Sequence, residues 1–313
     1  MMEISSSPKV SICIPTYRYG RFIAQAIDSV LAQDYENFEL LIIDDASPDN
    51  TQQVVEPYLA LDARIRFEVN STNRGMVPNW NYCLEQARGE YVKFLFADDF
   101  LSSVNALSSM VELLDRDASL SLIFSARNFV DEGGISFRLA RPFGVNACRM
   151  SGEKLIKYSL ARMNNPIGEP STVMFRKKQG MRGFDSRYQQ LVDLEMWLHL
   201  LEQGDAYYLP EPLSSFRVHG AQQTTVNVQF LQNDRLMLAR EYLADSPLLK
   251  KYLEYCQYYT WWKLARKSTP EEQGRVIELV KRRYQLWKFY MLLPFYKLIT
   301  PMYKLLTPII YRS

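Results

Sequence analysis

The chain has 313 residues, of which 47% are hydrophobic and 23% are charged, and its formal net charge is +2. A chain of this size and balance can bury a full core, which excludes a disordered protein or a disulfide-dependent mini-protein. The four cysteines form no Cys-x-x-Cys pair, so reduced thiols in the cytosol are the simplest interpretation. The sequence shows neither a secretory signal nor an apolar run of about 18 residues, so no membrane span is expected.

The charge is unevenly distributed along the chain. Residues 281–313 contain seven basic and no acidic residues, so the total of +2 leaves −5 on the rest. A mildly acidic body argues against nucleic acid as the partner, whereas a basic, aromatic tail suits an anionic membrane surface. Prolines 294, 301 and 308 each begin one unit of an imperfect seven-residue repeat, which disfavours one straight helix. The tail therefore predicts either an interfacial membrane segment or a helix packed on the rest of the protein.

The first 130 residues alternate between short apolar runs and stretches of helical length. Strands are predicted at 10–15, 38–44, 65–70, 91–97 and 121–130. Helices are predicted at 22–31, 51–59, 77–84 and 106–114, where apolar residues recur three and four positions apart. Because helices separate the strands, we expect an α/β fold with a mostly parallel sheet and helices on both faces.

The alternation ends near residue 135. Later elements are a helix at 152–162, a strand at 171–176, an amphipathic helix at about 190–202 and an extended segment at 207–219. Pro210 and Pro212 lack backbone N–H donors, so we expect the extended segment to be an edge strand or a broken strand. From residue 227 to the end the pattern is helical, with Pro270 separating two pieces.

Polar residues collect where the predicted parallel strands end. The three clusters are Pro15-Thr16-Tyr17, Asp44-Asp45-Ala46-Ser47 and Asp98-Asp99. In open parallel sheets the ligand binds beyond these carboxyl ends. Adjacent carboxylates such as Asp98 and Asp99 repel each other, and a divalent cation that bridges carboxylate and diphosphate removes that cost. The alternative is a pair of solvated acids at the start of the next helix.

The order of these motifs resembles that of the family 2 inverting glycosyltransferases, which have the GT-A fold. The matching segments are 10–17, 29–33, 38–51, 73–75, 87–91 and 97–99, and the resemblance covers about residues 8–220. It implies a Rossmann-like GT-A catalytic domain at 1–222, with a nucleotide-sugar half at about 8–130 and an acceptor half at about 131–222. A helical C-terminal region at 223–313 would follow. The resemblance also implies an NDP-sugar donor, with a UDP-sugar preferred, and a divalent metal, Mn²⁺ or Mg²⁺.

The resemblance carries roles onto individual residues. Pro15, Thr16, Tyr17 and Asp45 would hold the base, Arg74 would assist at the diphosphate, Asp98 would face the ribose or metal shell, and Asp99 would bind the metal. A flat Tyr17 ring can stack on a base, although a half-buried strand-end aromatic is the structural alternative. His219 would complete the metal shell or contact the diphosphate, with Arg217 beside it, unless it is a structural histidine.

Asp193 matches the general base of the family, which starts a helix that continues with a tryptophan. Val192 stands where the family has a second acid. Asp193 needs only to be ionised and within reach of an acceptor hydroxyl, but a helix N-terminal acid is the structural alternative. Glu195 is the reserve candidate, and it would project about 200° away on the helix, so only one of the two can face the pocket. Residues 166–171 are expected to shape the acceptor or sugar pocket.

These residues predict the inverting, metal-assisted transfer of a sugar to a glycan or lipid-linked acceptor in surface polysaccharide biosynthesis. The expected location is the cytoplasm or the inner face of the plasma membrane. One alternative is an inactive member of the same fold that binds nucleotide sugar or acts as a scaffold, as the change at Val192 would allow. Another is an NDP-sugar nucleotidyltransferase, but the turn at 15–20 lacks the glycine-rich, basic loop expected of one.

Overall fold

A computed structural model describes residues 7–162, 164–220, 222 and 227–242 of the chain. The strands are β1 Val10–Thr16, β2 Phe38–Asp44, β3 Ile65–Val69, β4 Tyr91–Phe94, β5 Phe100–Leu101, β6 Leu120–Val130, β7 Ser136–Ala140, β8 Cys148–Met150, β9 Val173–Arg176 and β10 Asp205–Arg217. The helices are α1 Ile23–Leu31, α2 Thr51–Leu61, α3 Met76–Gln86, α4 Ala106–Arg116, α5 Gly152–Arg162, α6 Lys177–Gly180, α7 Val192–Leu201 and α8 Leu231–Tyr242. Short 3₁₀ turns lie at Pro170–Thr172 and Asn227–Phe230.

The strands form one mixed sheet in the order β3-β2-β1-β4-β9-β6-β10-β5, with β7 on β6 and β8 on β10. Parallel pairs join β1 to β2 and β4, β2 to β3, and β6 to β10. Strand β9 is antiparallel to both of its neighbours. The predicted α/β architecture with a mostly parallel sheet is therefore confirmed.

Helix α1 illustrates how the sequence builds the core beside the site. Its buried residues are Ile23, Ala26, Ile27 and Val30, a spacing that places them on one face of the helix. They belong to one cluster with Ile12 and Ile14 of β1, whose seven residues are all buried. This packing fixes the turn between β1 and α1, which carries part of the functional site.

For the segment at 207–219 the structure selects the second of the two predicted alternatives, a broken strand. Strand β10 is not an edge strand, because it pairs with β6 on one side and with β5 and β8 on the other. It is broken, however, since its register with β6 shifts between Leu209 and Pro212 and again between Pro212 and Ser214. A proline cannot donate to the ladder, and here the irregularity falls where the prolines lie.

The chain divides into two compact units, residues 1–231 and 232–313. Helix α8 lies almost wholly in the second unit. None of the helices in the described ranges is long and apolar enough to cross a membrane. The basic tail at 281–313 lies outside the described residues, and the predicted domain boundary after residue 222 stays a prediction.

The segment 87–91, which connects α3 to β4, is attached to β1 by buried hydrogen bonds to Ser11. The Ser11 hydroxyl donates to Glu39 Oε1 (2.6 Å) and accepts the backbone N–H groups of Arg88 (3.0 Å) and Gly89 (2.7 Å). A Cβ on Gly89 would lie 2.5 Å from the Ser11 nitrogen and 2.7 Å from the Val10 carbonyl carbon. Only glycine lets the chain approach β1 this closely, so this motif is structural.

We expect Gly89→Ala to lower the free energy of unfolding by about 2–3 kcal/mol, because the added methyl group meets backbone that cannot yield. Gly220→Ala is the matched control, since a Cβ there meets none of the described residues within 4 Å. Urea denaturation of both variants measures the difference. Equal midpoints for the two variants would show that the close approach at Gly89 is not a constraint.

Candidate active site

A cavity of about 570 Å³ opens at the carboxyl ends of β1, β2 and β4. Of the residues predicted for the site, it brings together Pro15, Thr16, Tyr17, Asp45, Asp98 and Asp193. The other three predicted residues, Arg74, Asp99 and His219, do not line it. The cavity therefore contains both proposed halves of the site, the donor half at the strand ends and the base at the start of α7.

Two strained turns form the donor side of the cavity. Arg18 and Ala46 have φ values of 62° and 57°, a left-handed conformation that is uncommon for residues other than glycine. The Arg18 N–H donates to Ser47 Oγ (2.9 Å), and the Ser47 hydroxyl donates to the Asp44 carboxylate. Asp44 thus supports the turn. Tyr17 is left exposed on the wall, with the Arg18 guanidinium 5.0 Å from its ring centroid.

Asp45 organises the loop that follows β3. Its Oδ1 accepts Asn70 Nδ2 (2.8 Å) and the Arg74 N–H (2.7 Å), and its Oδ2 accepts the Gly75 N–H (2.8 Å). A carboxylate oxygen can accept two hydrogen bonds, so Oδ2 retains one acceptor position. The Arg74 side chain covers the ring of Tyr82 at 4.1 Å, so it is the Arg74 backbone that contacts Asp45.

Asp98 and His219 form a buried pair at the edge of the cavity. The distance from His219 Nε2 to Asp98 Oδ2 is 3.0 Å. His219 Nδ1 has no hydrogen-bond partner among the described residues. The imidazole ring packs against the rings of Tyr19 and Phe22, at centroid distances of 5.8 and 5.2 Å. Asp98 reaches the wall, and His219 stands directly behind it.

Asp99 points away from the cavity into the protein. Its Oδ2 accepts the Ser171 hydroxyl (2.5 Å), and its Oδ1 accepts the Arg217 N–H (2.9 Å). Burial, aided by the Asp98 charge, raises the pKa of Asp99 well above its ordinary value. The expected direct metal ligand is therefore the deeper carboxylate of the pair, and Asp98, expected at the ribose or metal shell, is the one beside His219.

Arg217 has no free guanidinium for a diphosphate. Its Nε donates to the Asp98 carbonyl (2.7 Å), and its Nη1 donates to the carbonyls of Asp131 (3.2 Å) and Glu132 (2.7 Å). Its Nη2 donates to the Gln25 side chain. Arg217 is thus a buried brace for the turn that presents Asp98.

Asp193 lies in the first turn of α7 and on the cavity wall. Its Oδ2 accepts Asn165 Nδ2 (2.8 Å), and its Oδ1 accepts the Leu194 N–H (2.7 Å). Burial raises the pKa of Asp193 to about 7, and the nearby Glu169 charge acts in the same direction, while the hydrogen bonds from Leu194 and Asn165 oppose it. Such a carboxyl group can exchange a proton near neutral pH.

The reserve candidate faces elsewhere. Glu195 is buried, and its carboxylate accepts hydrogen bonds from Arg182 Nη1 and Nη2, each at 2.8 Å. It does not line the cavity. The helical separation of Asp193 and Glu195 expected from the sequence is therefore present.

Asn165 is a site residue to which the sequence gave no role. Its Oδ1 accepts the N–H groups of Ile167 (3.1 Å) and Gly168 (2.9 Å), and Trp197 Nε1 donates to the Gly168 carbonyl (2.9 Å). The turn is thus attached to α7 twice, at Asp193 and at Trp197. The next residues, Glu169 and Pro170, line the cavity, as expected for 166–171. The Asn-Pro-x-Gly pattern signals a turn, but it does not indicate the contact with Asp193.

Comparison with known proteins identifies the family. The model described as "Glycosyl transferase family 2" matches residues 11–178. An uncharacterized protein of Mycobacterium tuberculosis, MT1568, is 31% identical over 259 residues, covering 79% of this chain and 76% of its own length. The putative glycosyltransferase EpsE of Bacillus subtilis is 30% identical over 220 residues, covering 68% of this chain and 74% of its own length.

Solved structures show the same fold. S. aureus TarS 1-349 in complex with UDP-GlcNAc has a TM-score of 0.64 at 19% identity and covers 86% of this chain and 79% of its own. The mannosyltransferase PcManGT of Pyrobaculum calidifontis, in complex with GDP-Man and Mn²⁺, has a TM-score of 0.58 at 16% identity, covering 98% and 86%. With the family match over more than half of the sequence, these findings lead to one conclusion: the chain is a glycosyltransferase and belongs to glycosyl transferase family 2.

Proposed function

We propose that the protein is an inverting, metal-assisted transferase that moves a sugar from an NDP-sugar to a hydroxyl group of a glycan or lipid-linked acceptor. The observation that carries this proposal is one cavity with a carboxylate–imidazole pair at its donor side and a second carboxylate of pKa about 7 at the start of α7. The first can serve the leaving diphosphate and the second the attacking hydroxyl.

The charge of the cavity supports the need for a cation. Among the described residues that line it, the acids are Asp45, Asp98, Glu169 and Asp193, and the bases are Arg18 and Arg21. Carboxylates outnumber guanidiniums, so a diphosphate would enter against like charge. Mn²⁺ or Mg²⁺ would reverse that repulsion.

The residues present fit such an ion only in part, which is typical of a site completed by substrate. No group of three or more His, Cys, Asp or Glu side chains within the described ranges is arranged to hold a metal. Asp98 offers a ligand on the wall, His219 is bonded to the same carboxylate from behind the wall, and phosphate oxygens commonly supply the other ligands of such metals. We assign the metal to Asp98 with His219 rather than to Asp99. When bound, the ion would stabilise the charge that develops on the departing diphosphate.

The chain's own residues then have distinct tasks. The exposed Tyr17 ring can stack on the base, and the remaining acceptor position of Asp45 Oδ2 can receive a base N–H. Asp193 accepts the proton of the acceptor hydroxyl. At the same time the hydroxyl oxygen attacks the anomeric carbon, and the bond between that carbon and the diphosphate oxygen breaks. A single displacement of this kind inverts the anomeric configuration.

Relatives support the choice of substrates. TarS is bound to UDP-GlcNAc in one structure and to UDP in another, which favours a UDP-sugar, whereas GDP-Man in PcManGT gives the competing donor. A B. subtilis relative, 28% identical over 213 residues, is named a putative teichuronic acid biosynthesis glycosyltransferase, which favours surface polysaccharide synthesis.

A cytoplasmic location, with the basic tail at an anionic inner membrane face, rests on the tail's charge alone. The inactive alternative has Val192 in its favour, but Asp193 beside it is intact.

The pH profile tests the base. Asp193 must be ionised to accept a proton, so kcat/KM should rise about tenfold per pH unit below pH 7 and level off above it. We expect Asp193→Asn to lower kcat by about 10²–10⁴-fold while nucleotide binding is retained. The control is Glu195→Gln, which should keep the profile even if it lowers stability. Loss of turnover in the control, with activity retained in Asp193→Asn, would transfer the role to Glu195.

A second prediction concerns the donor to Asp193. Asn165→Leu removes a hydrogen bond that favours the ionised carboxylate, so the pKa of Asp193 should rise and the acidic limb of kcat/KM should move to higher pH. Asn165→Asp keeps an acceptor for the Ile167 and Gly168 N–H groups but cannot donate when ionised, and it should move the limb in the same direction. A shift in Asn165→Leu alone would mean that Asn165 acts only by holding the turn.

A further inference from the structure

The turn from Asn165 to Ser171 connects the base of the proposed reaction to the donor side of the cavity. At one end Asn165 Nδ2 donates to Asp193 Oδ2 (2.8 Å). At the other end the Ser171 hydroxyl donates to Asp99 Oδ2 (2.5 Å). Glu169 is the only charged residue in this turn, and it lines the cavity. One further carboxylate therefore stands between the two ends of the site.

The backbone holds Glu169 in place from both sides. Its carbonyl accepts the Thr172 N–H (2.9 Å) and the Thr172 hydroxyl (2.8 Å). The preceding carbonyl, that of Gly168, accepts Asn165 Nδ2 and Trp197 Nε1, each at 2.9 Å. The Glu169 side chain is 24% exposed. A fixed turn thus presents this carboxylate to the cavity.

A buried arginine stands behind the Glu169 carboxylate. Arg127 Nε lies 2.5 Å from Glu169 Oε2, and the arginine side chain is 11% exposed and does not line the cavity. Gly168 makes room for it, because a Cβ there would lie 2.8 Å from Arg127 Nη1. The positive charge offsets the cost of keeping an ionised carboxylate at this position. The contact is ionic, since neither atom has a hydrogen-bond partner within the described part of the chain. The carboxylate can therefore accept hydrogen bonds from a ligand.

The proposed reaction places the transferred sugar beside Glu169. The anomeric carbon of this sugar is bonded to the diphosphate near Asp98 and is attacked by the hydroxyl held at Asp193, so the ring lies between these two carboxylates. The Glu169 charge acts at both ends of this space. Burial is the main cause that raises the pKa of Asp193 and of Asp99, and the Glu169 charge adds to both increases. An ionised carboxylate accepts hydrogen bonds but repels a second carboxylate.

We propose that Glu169, with Arg127 behind it, selects the class of sugar that is transferred. Its carboxylate accepts hydrogen bonds from the hydroxyl groups of a neutral sugar and disfavours a uronic acid. This inference rests on the proposed function and adds the chemical class of the sugar to it. Arg127 does not reverse the preference, because it lies behind the wall and its charge already faces Glu169.

Isothermal titration of the full chain in the presence of Mn²⁺ tests this selection with UDP, UDP-glucose and UDP-glucuronic acid. The two sugars differ only at C6, where glucuronic acid carries a carboxylate. The wild type should bind UDP-glucose at least about tenfold more tightly than UDP-glucuronic acid. In Glu169→Gln the two affinities should lie within about twofold of each other, because the amide forms hydrogen bonds without the charge.

Two further variants separate the local charge from other effects. Glu169→Asp keeps the charge and should keep the preference for UDP-glucose. Glu85→Gln is the matched control, since it removes one negative charge from the exposed side of α3, away from the cavity. It should show the wild-type preference. Binding of UDP with Mn²⁺ to Glu169→Gln checks that this variant is folded.

The outcomes distinguish this inference from the proposed function. Binding of UDP by the wild type, with equal affinity for the two UDP-sugars or with an unchanged preference in Glu169→Gln, would overturn the inference and leave the proposed function standing. If the wild type binds GDP in place of UDP, GDP-mannose and GDP-mannuronic acid provide the same comparison. The absence of nucleotide binding by the wild type would contradict the proposed function, and this inference with it.

Discussion

The active site depends on one buried carboxylate, that of Asp99, and on the two groups that bind it. Ser171 precedes β9 and Arg217 ends β10, so Asp99 joins the turn after β4 to two strands that come much later in the chain. Lys93 of β4, also fully buried, donates to the Ser171 carbonyl (2.8 Å), and burial lowers its pKa to about 7. Removing one partner of such a buried polar set typically costs about 3–5 kcal/mol. The network therefore fixes the backbone from which Asp98 reaches the cavity.

In this arrangement the two adjacent carboxylates differ in role: Asp99 is structural, and Asp98 is left to serve the leaving group. Both carboxylate oxygens of Asp99 accept hydrogen bonds from the protein, whereas Asp98 is held by His219 at the cavity edge. On the opposite side of the reaction, Asp193 remains an acid–base group because burial raises its pKa into the neutral range. In the proposed mechanism one carboxylate is structural, one serves the leaving group and one serves the nucleophile.

Much of this could be predicted from the sequence, because local periodicity determines the strands and helices, and the ends of parallel strands meet at one edge of the sheet. That is why Tyr17, Asp45 and Asp98 were expected together and line one cavity, whereas Asp193, which lines it too, was expected only from the family resemblance. That Asp98 lines the cavity while Asp99 binds groups inside the protein could not be predicted. It depends on Ser171 and Arg217, which are more than 70 residues away in sequence.

Other features escaped prediction for the same reason. Asn165 reaches Asp193 across 28 positions, and a turn signal does not report what a side chain binds. The prolines of β10 correctly indicated a broken strand, but they could not reveal that β5 and β8 cover its other edge. The exposure of strand β7 could not be predicted either, because its alternation of apolar and polar residues resembles that of an ordinary half-buried strand.

The central claim is that Asp98, and not Asp99, faces the metal and the diphosphate. Isothermal titration of UDP and GDP into the wild type and Asp98→Asn, with and without Mn²⁺, tests it most directly. We predict Mn²⁺-dependent binding to the wild type and its loss in Asp98→Asn, with the unfolding midpoint of the variant little changed. Unaltered Mn²⁺-dependent binding by Asp98→Asn, or the absence of nucleotide binding to the wild type under every condition, would contradict the account.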